Sequence, residues 1–163
     1  MLLTYSIGFY NINISLVSQK PAISHTNFNN FKSSIFYVGK GSSTRIDRHL
    51  FLAKKAFLCN IPTGKPHIDR IVNCWKKQKG VIILKFEHNS TNIVSHCKEA
   101  AIIANLGLNC LDNQRAGVLF GGMKNWSYAK LSNFGVMLLA KAFKIFVISK
   151  PPILLSNHVK IRY

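Results

Sequence analysis

Apolar positions follow two rhythms along this chain, one of period two and one near 3.6. Residues 2–14 alternate apolar and polar side chains, which predicts a first strand. A short β-favouring run over 34–38 predicts a second, and the β-branched "VIILKFEH" over 81–88 predicts a third. Between them helical spacing takes over. Ile46, Leu50, Ala53 and Phe57 predict a helix from about Thr44 to Leu58, with Thr44 as its N-cap and Asp47 in the capping-box position. "NIPTGKP" (60–66) breaks the chain. His67–Lys79 then sets Ile68, Ile71, Val72 and Trp75 on one helical face, and Gly80 ends it. Ser95–Leu106 is a third helix closed by Gly107, followed by the loop "LNCLDNQRAG". The polar, turn-rich residues 18–31 predict a long loop. Trp126–Ile148 reads as one helix or two, stopped by Pro151–Pro152, with the last dozen residues free to fray.

The order β, β, α, α, β, α, α predicts an α+β fold: a small, mainly antiparallel three-stranded sheet flanked by helices. Residues 1–125 would carry the sheet, and 126–163 would form a C-terminal helical extension packed on it.

Charge changes the picture more than size does. The chain has 163 residues, 48% of them hydrophobic, enough for a core. Lys and Arg number 22 against 5 Asp and Glu, a formal net charge of +17. Such an excess draws polyanions, nucleic acid first and an anionic membrane surface second. The basic residues run from Lys20 to Arg162, so a folded cationic face fits better than a basic tail. "MLLTYSIGFYNINISLV" lacks the basic n-region of a signal peptide, which predicts an intracellular protein of the nucleus or cytoplasm. "NFGVMLLAKAFKIFVIS" (133–149) is short for a membrane span and carries Lys141 and Lys144, which predicts a core-packed helix and no membrane partner. Cys59, Cys74, Cys97 and Cys110 form no C-x-x-C pair and read as reduced, buried thiols. His88, His96 and Cys97 match no familiar zinc spacing.

The chemistry concentrates in "IFYVGKGSSTRIDRHL" (35–50). Tyr37 ends a strand, and Gly39 and Gly41 let backbone approach something closely on either side of Lys40. The run is neither a Walker A loop nor a dinucleotide fingerprint. Arg45 and His49 are four apart on the predicted helix and project from one face. A guanidinium that grips phosphate, beside an imidazole and a phenol, suits phosphoryl chemistry; a solvated basic first turn is the plainer reading. Glu99, one of five acids, precedes the apolar run Ala100–Leu106. A carboxylate there needs a partner or a cation, and one carboxylate with phosphate oxygens and waters is a common magnesium arrangement. A surface Glu beside Lys98 is the alternative.

"FYVGKGSSTRIDRHL" resembles the second motif of the GIY-YIG endonucleases, and "KEAAIIANLGLNCLDNQRAG" resembles their later motif. The likeness is closest to the branch of animal endonucleases that carry a LEM domain and ankyrin repeats. "NCWKKQKGV", "LDNQRAGVLFGGMKNWS" and "NFGVMLLAKAF" extend it over about residues 3–155. The resemblance implies metal-dependent hydrolysis of DNA phosphodiesters. It implies that Tyr37 and a first-strand tyrosine help activate water, that Arg45 stabilises phosphate charge, and that His49 shares protons with a tyrosine. Glu99 would hold Mg2+ or Mn2+, Asn113 would hold the local geometry or a phosphate, and Lys40 and Arg48 would contact DNA. Tyr5 aligns with the branch's first-motif tyrosine, while Gly8-Phe9-Tyr10 looks more like the literal motif. Asp112 stands where the branch tends to have Thr. No ankyrin or LEM segment is visible, so the chain reads as a catalytic fragment or reduced relative. The alternative is a basic DNA-binding module that keeps the fold with little or no catalysis.

Overall fold

Strand alternation divides the molecule into two apolar halves. The computed structural model describes residues 10–17, 27–41 and 43–160. Three strands, β1 (Tyr10–Val17), β2 (Ile35–Gly41) and β3 (Val81–Ser90), form one sheet in the order β2-β1-β3, with β1 antiparallel to both neighbours. The α+β architecture read from the sequence is therefore the observed one. Ile14, Leu16, Val38, Ile82, Leu84 and Phe86 point to one side and are buried there. Tyr37 and Ile83 belong to the other side, and Ser15 pairs with Tyr37 across the ladder.

Two helices cover the second side: α2 (Ser43–Cys59) and α3 (Pro66–Lys76). Ile46, Leu50, Ala53 and Ala56 of α2 meet Ile68, Ile71, Val72 and Trp75 of α3 in one buried cluster. α2 begins at Ser43, so Thr44 lies inside its first turn rather than at the N-cap. α3 starts with Pro at the first helical position, where the missing N–H costs nothing. It ends at Lys76, three residues before the expected Lys79.

The first side is covered by α4 (Asn92–Leu106) and α5 (Tyr128–Ser149). Thr91 caps α4 by accepting from Val94 N–H, and Ser127 caps α5 by accepting from Lys130 N–H. α5 is one unbroken helix of 22 residues, which overturns the argument that it is short for a membrane span. Part of its apolar surface is used inside the protein: Leu131, Leu138, Leu139, Ala142 and Phe146 are buried with Ile102 and Ile103 of α4, while Met137, Val147 and Ile148 stay exposed.

Two further expectations are corrected. The loop expected over 18–31 gives way at its described end to a short helix, α1 (Phe28–Ser34), capped by the Asn27 side chain at 2.8 Å from Asn30 N. Phe31 anchors it, fully buried with its ring centroid 5.3 Å from that of Phe143 and 5.2 Å from that of Phe146. Burying one such ring contributes about 1.5–3 kcal/mol, enough to override polar neighbours. The tail expected to fray is tied back: Leu154 exchanges backbone hydrogen bonds with Val81 at 2.8 and 3.0 Å, and Trp75 Nε1 donates to Leu154 O at 3.0 Å. Of the cysteines expected to be buried, Cys74 and Cys97 are, while Cys59 and Cys110 are exposed.

Candidate active site

β2 is an edge strand, and its outward-facing backbone groups need partners. Residues from the C-terminal half of the chain supply them. Asp112 N–H donates to Phe36 O at 2.7 Å. The Asn113 amide then behaves like a strand residue, accepting from Val38 N–H at 3.0 Å and donating to Val38 O at 2.7 Å. Glu99 Oε1, from α4, accepts from Lys40 N–H at 3.2 Å. The edge of β2 thus fixes Asn113 and Glu99 beside the Tyr37–Gly41 segment. Through these bonds the Asn113 side chain is fixed against Val38.

Gly39 and Gly41 have a definite neighbour each. A Cβ at Gly39 would lie 2.9 Å from the Tyr37 ring, and one at Gly41 would lie 2.9 Å from Arg45 Cδ. The ring folds over the first glycine and the arginine stem crosses the second. Arg45 Nη1 also donates to Lys40 O at 3.2 Å. The result is one open cleft of about 520 Å³ lined by Tyr37, Lys40, Arg45, His49, Glu99 and Asn113. Arg48 is exposed on α2 and does not line it. Tyr5 lies outside the described residues. Tyr10 is the first residue of β1.

Sequence reasoning missed several cleft residues: Lys65, His67, His96 and Arg115. His67 matters most for Tyr37, because the two rings stack with centroids 4.2 Å apart and 16° between planes. His49 completes the group, 4.9 Å from His67 and 6.1 Å from Tyr37 between centroids. Pro66–His67 at a helix start carried no hint of this. Asp112 is neutralised, since Arg70 Nε and Nη2 reach its two oxygens at 2.6 and 2.9 Å. Lys98 turns away from Glu99 and pairs with Glu87, which Lys141 also contacts.

Burial dominates the electrostatics. It raises the Tyr37 phenol above its usual value, with Arg45 pulling down and Glu99 pushing up. It raises the Glu99 carboxyl too, against the Lys40 N–H donor and the Arg45 and Lys40 charges. It lowers His49 to about 4, helped by His67, Arg45, Lys65 and Arg48, so the ring is neutral at neutral pH. His67 is lowered as well, chiefly by burial. The linkage sign follows. His49 binds protons more weakly folded than unfolded, so its contribution to stability is present above about pH 6.5 and is lost as pH falls toward 4. Urea midpoints of the wild type are expected to drop across that window, and His49→Gln is expected to flatten the drop. An equally steep drop in His49→Gln would place the linkage elsewhere.

No group of three or more His, Cys, Asp or Glu that could hold a metal occurs among the described residues. A divalent cation in the cleft would have Glu99 as its carboxylate ligand and would draw most of its other ligands from water and phosphate. The residues fit that demand: the Glu99 side chain is 16% exposed, faces the cleft and has one oxygen oriented by a backbone donor.

A profile of the LEM-3-like GIY-YIG domain matches residues 10–160. Ankyrin repeat and LEM domain-containing protein 1 of Mus musculus is 32% identical over 120 residues, covering 72% of this chain and 22% of that protein. The Homo sapiens protein of the same name is 31% identical over 120 residues, covering 72% and 20%. The Caenorhabditis elegans homolog is 29% identical over 121 residues, covering 69% and 16%. The chain thus spans about a fifth of these relatives' length. No solved structure matches it. The profile match includes Tyr10 and begins after Tyr5.

Proposed function

The chain belongs to the LEM-3-like GIY-YIG family of nuclease domains, and from that premise we propose that it is a divalent-metal-dependent DNA endonuclease. The observation that carries the reading is the convergence of Tyr37, Arg45, His49, Glu99 and Asn113, drawn from β2, α2, α4 and the loop after α4, on one cationic cleft. Arg45 lines the cleft, where its guanidinium would stabilise charge growing on the phosphoryl oxygens. A proton leaving the attacking water has neutral His49 as its acceptor, directly or by way of the Tyr37 hydroxyl. The buried phenol keeps its own proton at neutral pH and so orients rather than ionises. Asn113 pairs with the edge of β2 through Val38, next to Tyr37 and Lys40, which both line the cleft. The cation would neutralise the scissile phosphate and assist departure of the leaving oxygen.

Lys40 lines the cleft, and Arg48 is exposed on α2; both would contact the DNA backbone. Grip of this kind reads phosphate positions rather than bases. Branched or distorted DNA as the substrate class rests on the resemblance to the LEM-domain and ankyrin-repeat branch alone.

Supercoiled plasmid tests the reading. Nicking is expected with Mg2+ or Mn2+ and none in chelator, with Arg45→Ala lowering the rate by about 10²–10³, the scale of a lost transition-state donor. Plasmid that is retained in a salt-sensitive way but never nicked with any divalent cation would leave only a basic binding module. Tyr5→Phe and Tyr10→Phe, assayed side by side, identify the first-motif tyrosine: loss is expected in one of the two. Full activity in both would remove the first-strand tyrosine from the mechanism.

A further inference from the structure

His96 has no place in the mechanism above, yet it lines the same cleft. It sits one helical turn before Glu99 on α4, and the i, i+3 spacing puts both side chains on one face. Its Nδ1 stands 3.7 Å from Glu99 Oε2. That is beyond hydrogen-bond range, and Nδ1 is buried without a hydrogen-bond partner. An orphaned imidazole nitrogen is costly unless something takes it up. Two donor atoms bound to one first-row cation at about 2.0–2.2 Å lie roughly 3.0–3.6 Å apart, close to the separation found here.

Both groups are also held in place from behind. Glu99 Oε1 accepts from Lys40 N–H, which leaves Oε2 on the histidine side. The His96 ring rests on Phe120, with centroids 5.4 Å apart. Phe120 is itself anchored through its N–H to Cys97 Sγ at 3.3 Å. Such outer support is what fixes a ligand's ring orientation at metal sites.

We propose that His96 is a second protein ligand to the cation held by Glu99, making the site a mixed imidazole–carboxylate pair. The inference rests on the metal reading of Glu99 given under Proposed function. Its chemical consequence is ion choice. Mg2+ prefers oxygen donors, whereas an imidazole raises affinity for later first-row ions in the order Mn2+, Co2+, Ni2+. The pair should therefore bind Mn2+ in preference to Mg2+.

The test needs no DNA and no turnover. Mn2+ is titrated into the purified chain and followed by electron paramagnetic resonance, with pulsed measurement of nitrogen coupling to the bound ion. The wild type is expected to show imidazole ¹⁴N coupling. His96→Gln is expected to abolish the coupling and weaken Mn2+ binding about tenfold or more, while Mg2+ competition changes less. Coupling in the wild type is read without any variant, so a misfolded substitution cannot hide the answer. Mn2+ binding that is lost in Glu99→Gln but shows no nitrogen coupling in the wild type overturns the His96 assignment and leaves the Glu99 reading standing. Mn2+ binding unchanged in Glu99→Gln overturns both.

Discussion

Glu99→Gln is expected to reduce DNA nicking by about 10³-fold without lowering the melting temperature. The two halves of that result come from the same desolvated carboxylate. Glu99 is the carboxylate that the cleft offers a cation, since Asp112 is engaged bidentately by Arg70. A bound cation supplies several kcal/mol of transition-state charge stabilisation, and each 1.36 kcal/mol is a factor of ten in rate, which gives roughly 10³. Gln keeps the size of the side chain and still offers a carbonyl oxygen to Lys40 N–H. The charge is what disappears. Burial holds the Glu99 carboxyl above its ordinary value, so the folded state disfavours its ionised form near neutral pH. Removing that charge should leave stability unchanged or slightly raised. Single-turnover nicking and a thermal melt, run on the same preparation, check both halves. Nicking at the wild-type rate would remove Glu99 from the chemistry. A large fall in melting temperature would mean the carboxylate serves the fold instead.

Local pattern carried much of this architecture because its signals act over a few residues. The β-branched run before His88, the break over 60–66 and the Gly107 stop are short-range physics, and the elements they delimit are present. What stayed hidden is what depends on distant partners. α1 looked like loop because its one buried anchor, Phe31, packs on Phe143 and Phe146, more than a hundred positions away. The tail looked loose because Val81, which pairs with Leu154, is not a neighbour in sequence. The same holds for the site. Tyr37, Lys40, Arg45 and His49 were legible because they share one stretch. Glu99 was legible because a carboxylate beside an apolar helical run is costly without a partner. His67 was not, since a stacked ring thirty residues from Tyr37 leaves no spacing to read. His96 did leave one, the i, i+3 step to Glu99. Asp112 shows the limit in the other direction. Its charge stands beside Asn113, and the Arg70 that neutralises it lies forty-two positions earlier.

Gly135→Ala is expected to destabilise the protein by about 2 kcal/mol, although it adds one methyl group to the middle of a helix where Ala is intrinsically the better residue by about 1 kcal/mol. The reason is the closeness of α4 and α5. A Cβ at Gly135 would lie 2.1 Å from Ala101 O and 2.8 Å from Ala101 C, with Asn105 Cβ at 2.9 Å. The obstacle is mostly helix backbone, which cannot rotate away as a flexible side chain could. α4 must therefore move or α5 must bend, and the buried contacts of Leu131, Leu138 and Leu139 with Ile102 and Ile103 loosen with it. For a chain of this length a loss of about 2 kcal/mol lowers the melting temperature by roughly 4–8 °C. Gly122→Ala is the control, because nothing lies within 4 Å of a Cβ there and the change should be nearly neutral. The displacement should also reach the cleft, since α4 carries Glu99 and is tied to β2 by the Lys40 N–H bond. Nicking should fall in Gly135→Ala below the melting range, at a temperature where the chain is fully folded, while Gly122→Ala nicks normally. A rise in melting temperature for Gly135→Ala, as helix propensity alone would give, would mean that the two helices are not in backbone contact and that the position of Glu99 is set by something other than α5.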